Sequence, residues 1–80
     1  MRIPRDLSGA DIVKWLERFG YAVTRQTGSH VRLTSHARGE HHLTIPNHDS
    51  LRIGTLASIL DSVAAHHGMT REALLKTFLD

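Results

Sequence analysis

Hydrophobic spacing along the chain alternates between two periods. From Ser8 onward, Ile12, Trp15, Leu16 and Phe19 recur at three- and four-residue intervals, with Asp11, Lys14, Glu17 and Arg18 between them. That is the stripe of an amphipathic helix. Ser8 and Asp11 form a Ser-x-x-Asp pattern, a capping box with the shorter carboxylate, so the helix starts near Ser8. Gly20 supplies the left-handed residue that ends it. The period then falls to two. Tyr21 to Gln26 reads as a strand with Tyr21 and Val23 on one face, Thr27-Gly28 as a turn, and Ser29 to Thr34 as a second strand with Val31 and Leu33 inward. Ser35 to Glu40 is a polar hairpin loop, and His41 to Ile45 a third strand with Leu43 and Ile45 inward, ended by Pro46. After a polar connection from Asn47 to Arg52, Leu56, Ile59, Leu60 and Val63 return to helical spacing as far as about His67, where Gly68 caps. Thr70 caps a short final helix whose apolar side is Leu74, Leu75, Phe78 and Leu79.

The order predicts an α+β fold. A three-stranded antiparallel sheet presents Val23, Val31, Leu33, Leu43 and Ile45 to helices on one face, and an extra short C-terminal helix follows. Alternation sends His30, Arg32, Thr34, His42 and Thr44 to the uncovered face, with Thr24 and Gln26 beside them on the first strand. By itself such a face is equally compatible with ordinary solvated surface.

Length and composition narrow the class. Eighty residues are expected to make one domain, 1–80, of marginal stability. The absence of cysteine removes disulfides, thiolate metal sites and cysteine nucleophiles together, and suits a reducing cytosol. No apolar run approaches the ~20 residues of a membrane span, and the opening residues have no signal-peptide h-region. The expectation is a soluble cytoplasmic protein with no membrane partner. Ten Lys and Arg against eight Asp and Glu give a formal charge of +2, too small to identify a nucleic-acid partner. Its distribution says more: Arg18, Arg25, Arg32 and Arg38 occur with His30 and His36 in a stretch free of acidic residues.

Three blocks then occur in a telling order: Gln26-Thr27-Gly28-Ser29-His30, Leu43-Thr44-Ile45-Pro46-Asn47-His48, and Ile53-Gly54-Thr55-Leu56-Ala57-Ser58-Ile59-Leu60. Together, over roughly Ser8 to His67, they resemble the HicA family of toxins. The resemblance implies a fold like double-stranded-RNA-binding domains, α-β-β-β-α. It implies a toxin–antitoxin system in which the toxin is an endoribonuclease (mRNA interferase) and a HicB-type antitoxin binds over the active face. The family's essential histidine maps onto His30. Two segments depart from the pattern: a short arm before Ser8, and a stretch from Gly68 to Asp80 that is longer and more helical than the usual family ending.

The residues themselves suggest how such chemistry would run. RNA carries its own nucleophile, the 2′-hydroxyl, so cleavage needs a proton-transferring group and cations for the phosphorane, with no metal or other cofactor required. Histidine, with an ordinary pKa of about 6.5, suits the first task. Arg32 suits the second, about 6.5–7 Å from His30 along the same strand face. Gly28 and Ser29 form the turn before His30, where a hydroxyl or backbone amide can hold a phosphate oxygen, although a tight hairpin alone also explains Gly28. Arg25, from the same basic stretch, completes the candidate RNA-binding set of Gly28, Ser29, Arg32 and Arg25. Neither His41-His42 nor His66-His67 makes a chelate, because strand neighbours face apart and helix neighbours splay. No metal site is expected, including one from His30, His42 and His48. Two rival classes remain. One is a non-catalytic double-stranded-RNA-binding module, against which the start of the second long helix offers only Arg52 rather than a Lys cluster. The other is a protein-interaction domain that docks a partner on Leu74, Phe78 and Leu79.

Overall fold

Ser8 opens the first helix in the way its spacing demands. Its hydroxyl accepts from the Asp11 amide at 3.0 Å, and the Asp11 carboxylate accepts from the Ser8 amide at 3.0 Å. Two of the unpaired N–H groups of the helix start are thereby satisfied. The computed structural model describes residues 3–79. Met1 and Arg2 of the predicted arm, and Asp80 of the predicted C-terminal stretch, lie outside the described residues.

The elements are α1 (Gly9–Arg18), β1 (Ala22–Thr27), β2 (His30–Ser35), β3 (His41–Pro46), α2 (Ile53–His66) and α3 (Arg71–Leu79). The strands form one antiparallel meander in the order β1-β2-β3. Both long helices contact the same side of it, and α3 packs on α2. This is the predicted α+β architecture, with the α-β-β-β-α order of double-stranded-RNA-binding domains and one added helix. Ile12 and Leu16 of α1, Leu33, Leu43 and Ile45 of the sheet, and Leu56, Leu60 and Val63 of α2 are buried in a common core. Leu74, Leu75 and Phe78 of α3 complete it. The Thr70 hydroxyl accepts from the Ala73 amide at 3.1 Å, so the predicted cap of α3 is present. Arg71 also forms a two-pronged ion pair with Asp61 of α2, at 2.6 and 2.7 Å.

Residues 3–7 of the arm before α1 are part of the packed structure. Ile3 and Leu7 pack against the core, and the Leu7 carbonyl accepts from the Leu51 amide at 2.8 Å.

Three expectations require correction. Val23 sits opposite Leu33 on the inner side but is 42% exposed, because the helices cover β3, the other edge of the sheet, where Leu43 and Ile45 are buried, and leave β1 largely uncovered. Leu79 is 49% exposed, whereas Leu74, Leu75 and Phe78 are consumed by the chain's own core. The apolar side of α3 is therefore not available to a partner in the way the docking alternative required. The third concerns β1. Its register shifts between Val23 and Arg25, so that Arg25 lies opposite Arg32, and Gln26 opposite the buried Val31. A β-bulge inserts one residue and reverses the alternation beyond it. Gln26 is thus moved off the open face and Arg25 onto it.

Candidate nucleic-acid interface

The open face begins at a two-residue hairpin. Thr27 pairs with His30, leaving Gly28 and Ser29 as the turn. Gly28 has φ +54°, a left-handed value that side chains rarely adopt, at the first central position, where the tight turns that match strand twist favour glycine. The Ser29 carbonyl accepts from the Asn47 amide at 2.6 Å, which ties the turn to the end of β3. The Ser29 hydroxyl takes part in no hydrogen bond among the described residues, and both turn residues are exposed. His30 follows as the first residue of β2, exposed, with Thr27 on one side and Pro46 on the other. Arg32 is the next residue of β2 on that face, between Arg25 and Thr44.

Farther along the face lies an open groove of about 340 Å³, lined by Thr24, Arg25, Arg32, Thr34, His36, Glu40 and His42. A hydrogen-bonded chain crosses it. The Thr24 and Thr34 hydroxyls are 3.1 Å apart, Thr34 is 2.9 Å from Nδ1 of His42, and Nε2 of His42 is 3.0 Å from Oε2 of Glu40. The hydrogen bond from His42, together with its charge when protonated, holds the Glu40 carboxyl below the usual carboxylate range. Both ring nitrogens of His42 are thus engaged. His42 pairs with Thr34, four residues from His30 along β2, a distance of about 13 Å at strand rise. The two imidazoles therefore address different places on the face.

Of the predicted set, His30, Arg32, Arg25, Gly28 and Ser29 share the open side and its edge turn. Sequence reasoning missed Glu40, which it assigned to a connecting loop, and the bulge that brings Arg25 across. No signal in the sequence marks either one, because both depend on how the strands pair.

His41 turns to the opposite side, as neighbour alternation requires, and there joins a second cluster. The Tyr21 hydroxyl lies 2.6 Å from Nδ1 of His41 and 3.1 Å from Nε2 of His67, so it can donate to one ring and accept from the other. His41 and His66 stack at 4.4 Å, and His66 donates to the carbonyls of Ala37 and Gly39 at 3.0 and 3.1 Å. Burial pushes the Tyr21 hydroxyl up to about 12. Burial, then the neighbouring His66, pushes His41 and His67 below the ordinary imidazole value; His67 and His42 act further on His41, and Arg38 on His67. These two rings resist protonation in the folded state while their unfolded counterparts accept protons near pH 6.5. The unfolded chain therefore binds more protons below that pH, and stability falls as pH falls from about 6.5 through the lowered folded-state values of these rings. Melting temperature is expected to be flat above pH 7 and to decline across that window. In a His41→Gln/His67→Gln double variant that part of the slope should vanish; a slope unchanged in the variant would exclude these rings as its cause.

The comparison with known families bears on the whole of this surface. The family model of the HicA toxin of bacterial toxin–antitoxin systems matches residues 9–64. The chain belongs to the HicA toxin family. No curated protein and no solved structure matches it significantly. The HicA match runs from the start of α1 into the last turns of α2, so it includes the Gly28-Ser29 turn, His30 and the groove, and ends before α3. Membership makes the chain a HicA toxin, for which a cognate antitoxin is the implied partner. Among the described residues of this HicA chain, no helix is long and apolar enough to cross a membrane.

Proposed function

We propose that this HicA toxin is a metal-independent endoribonuclease that cleaves messenger RNA in the cytoplasm, with His30 as its acid–base group. A HicB-type antitoxin neutralises it by covering the open sheet face, and residues 1–80 act as one domain. The observation that carries the reading is the position of His30, exposed on the uncovered face and two residues from Arg32 on the same strand.

The chemistry follows from that placement. A ribose 2′-hydroxyl attacks the adjacent phosphorus and the bond to the 5′-oxygen of the next nucleotide breaks. The products are a 2′,3′-cyclic phosphate and a 5′-hydroxyl. His30 takes the proton that leaves the 2′-hydroxyl, and that proton is passed on to the departing 5′-oxygen, which leaves as a hydroxyl. Arg32 and Arg25, opposite each other across β1 and β2, offset the negative charge that builds on the phosphorane. The Ser29 hydroxyl and the turn amides hold a non-bridging oxygen. Every element of the reaction is supplied by the substrate or by these side chains.

Incubating the purified chain with a long unstructured RNA is expected to yield discrete fragments with cyclic-phosphate and 5′-hydroxyl ends. Excess chelator should leave the rate unchanged. RNA that stays intact would remove the proposal, and cleavage abolished by chelator and restored by a divalent cation would replace its chemistry with a metal-assisted one.

A further inference from the structure

The groove farther along the face from His30, which begins at Arg32, contains a group that phosphate binding does not explain. Glu40 is the one carboxylate among the groove's lining residues, facing the same space as Arg25 and Arg32. A surface serving only the RNA backbone gains from cations and loses from a carboxylate, which repels phosphate. Yet this carboxylate is held in place. Oε2 lies 3.0 Å from Nε2 of His42, whose other nitrogen is anchored on Thr34 at 2.9 Å, and Thr34 in turn contacts Thr24. Oε1 lies 3.9 Å from Nδ1 of His36, beyond hydrogen-bonding distance, and the side chain is 60% exposed. Each carboxylate oxygen accepts about two hydrogen bonds, so the fork retains capacity on both oxygens.

We propose that this groove reads the base next to the scissile phosphate, and that Glu40 selects guanine by accepting its N1–H and N2–H together. The proposal rests on RNA being the ligand of this face. Guanine is the base whose Watson–Crick edge places two N–H donors side by side, matching the two oxygens of a carboxylate. On adenine and cytosine a single amino group sits beside a ring nitrogen acceptor, and on uracil one N–H lies between two carbonyls. In those three cases an acceptor faces the carboxylate. Single-stranded RNA exposes these edges and lets bases stack on guanidinium planes. Arg25 and Arg32 supply such planes on the groove wall, and Arg32 is next to His30 on the same face.

The test measures binding of the wild-type chain to four tetranucleotides that differ in one base and carry 2′-O-methyl riboses, which removes the nucleophile. Guanine is expected to bind about 10-fold or more tightly than the other three, the scale of one bidentate base contact. Glu40→Gln, whose amide cannot accept at both positions, should bring the four affinities together while retaining the wild-type melting curve. Equal affinities in the wild type, a preference that survives Glu40→Gln, or no binding to any of the four would overturn the proposal. Cleavage of unmodified RNA is scored separately. Guanine preference without cleavage would overturn the ribonuclease reading alone, and cleavage without guanine preference would overturn the base-reading role alone.

Discussion

His30→Ala is expected to lower RNA cleavage by about 10²–10⁴, the usual contribution of one acid–base side chain, and to abolish growth arrest when the toxin is expressed without antitoxin. The fold should not notice. His30 is exposed at the first position of β2, and the structure gives its ring no hydrogen bond or aromatic contact among the described residues. Surface changes of that kind usually stay within about 0.5 kcal/mol. The melting temperature should therefore move by only a few degrees, and the circular dichroism spectrum should be unchanged. Loss of activity with loss of fold would say nothing about chemistry, which is why both measurements are made on the same preparation. A folded His30→Ala chain that still cleaves RNA would take the imidazole out of the reaction. His30→Gln adds a finer test. It keeps a polar side chain of similar reach but cannot exchange a proton near neutral pH, so it should be as inactive as alanine.

Gly9→Ala is expected to be the most damaging small change outside the sheet face. In an ordinary helix this substitution is stabilising, because alanine loses less backbone freedom on folding. Here α1 starts pressed against the end of β3. The Gly9 amide donates to the His48 carbonyl at 2.9 Å, and a methyl group at Gly9 would run into the Pro46 carbonyl oxygen. The obstructing atoms are backbone, so no side-chain rotation relieves the contact and either the helix or the strand end must shift. Overpacking of this kind costs about 1–3 kcal/mol, which in a domain this small corresponds to a fall of roughly 5–20 °C in melting temperature. A melting temperature equal to or above wild type would show that α1 does not approach β3 this closely. The damage should also reach the site. Pro46 is the β3 partner of His30, so the displaced strand end would carry the edge of the open sheet face with it.

The local code of this chain is unusually readable because its elements are short and cleanly punctuated. The capping box at Ser8, the Thr70 cap and the alternation of Val31, Leu33, Leu43 and Ile45 each report a backbone requirement carried by adjacent residues. Where a reading failed, the deciding interaction joined residues far apart in the chain. Val23 and Leu79 satisfy their patterns yet remain exposed, because whether an apolar residue is covered depends on what packs above it. Gln26 and Arg25 exchanged faces because of a bulge, which is a property of the β1–β2 pairing and not of either strand alone. Glu40 looked like loop and became part of a groove only when β3 placed His42 beside it.

The sequence by itself determined the order of elements, the side of β2 that carries His30 and Arg32, and the family to which the chain belongs, since all three follow from residue identities at short spacing. Tertiary structure alone decided which cations share the face with His30, that Glu40 is held by His42, that Tyr21 gathers His41 and His67, and that Gly9 has no room for a methyl group. These depend on strand register and helix approach, which are set by the joint packing of the whole core and leave no mark at any one position.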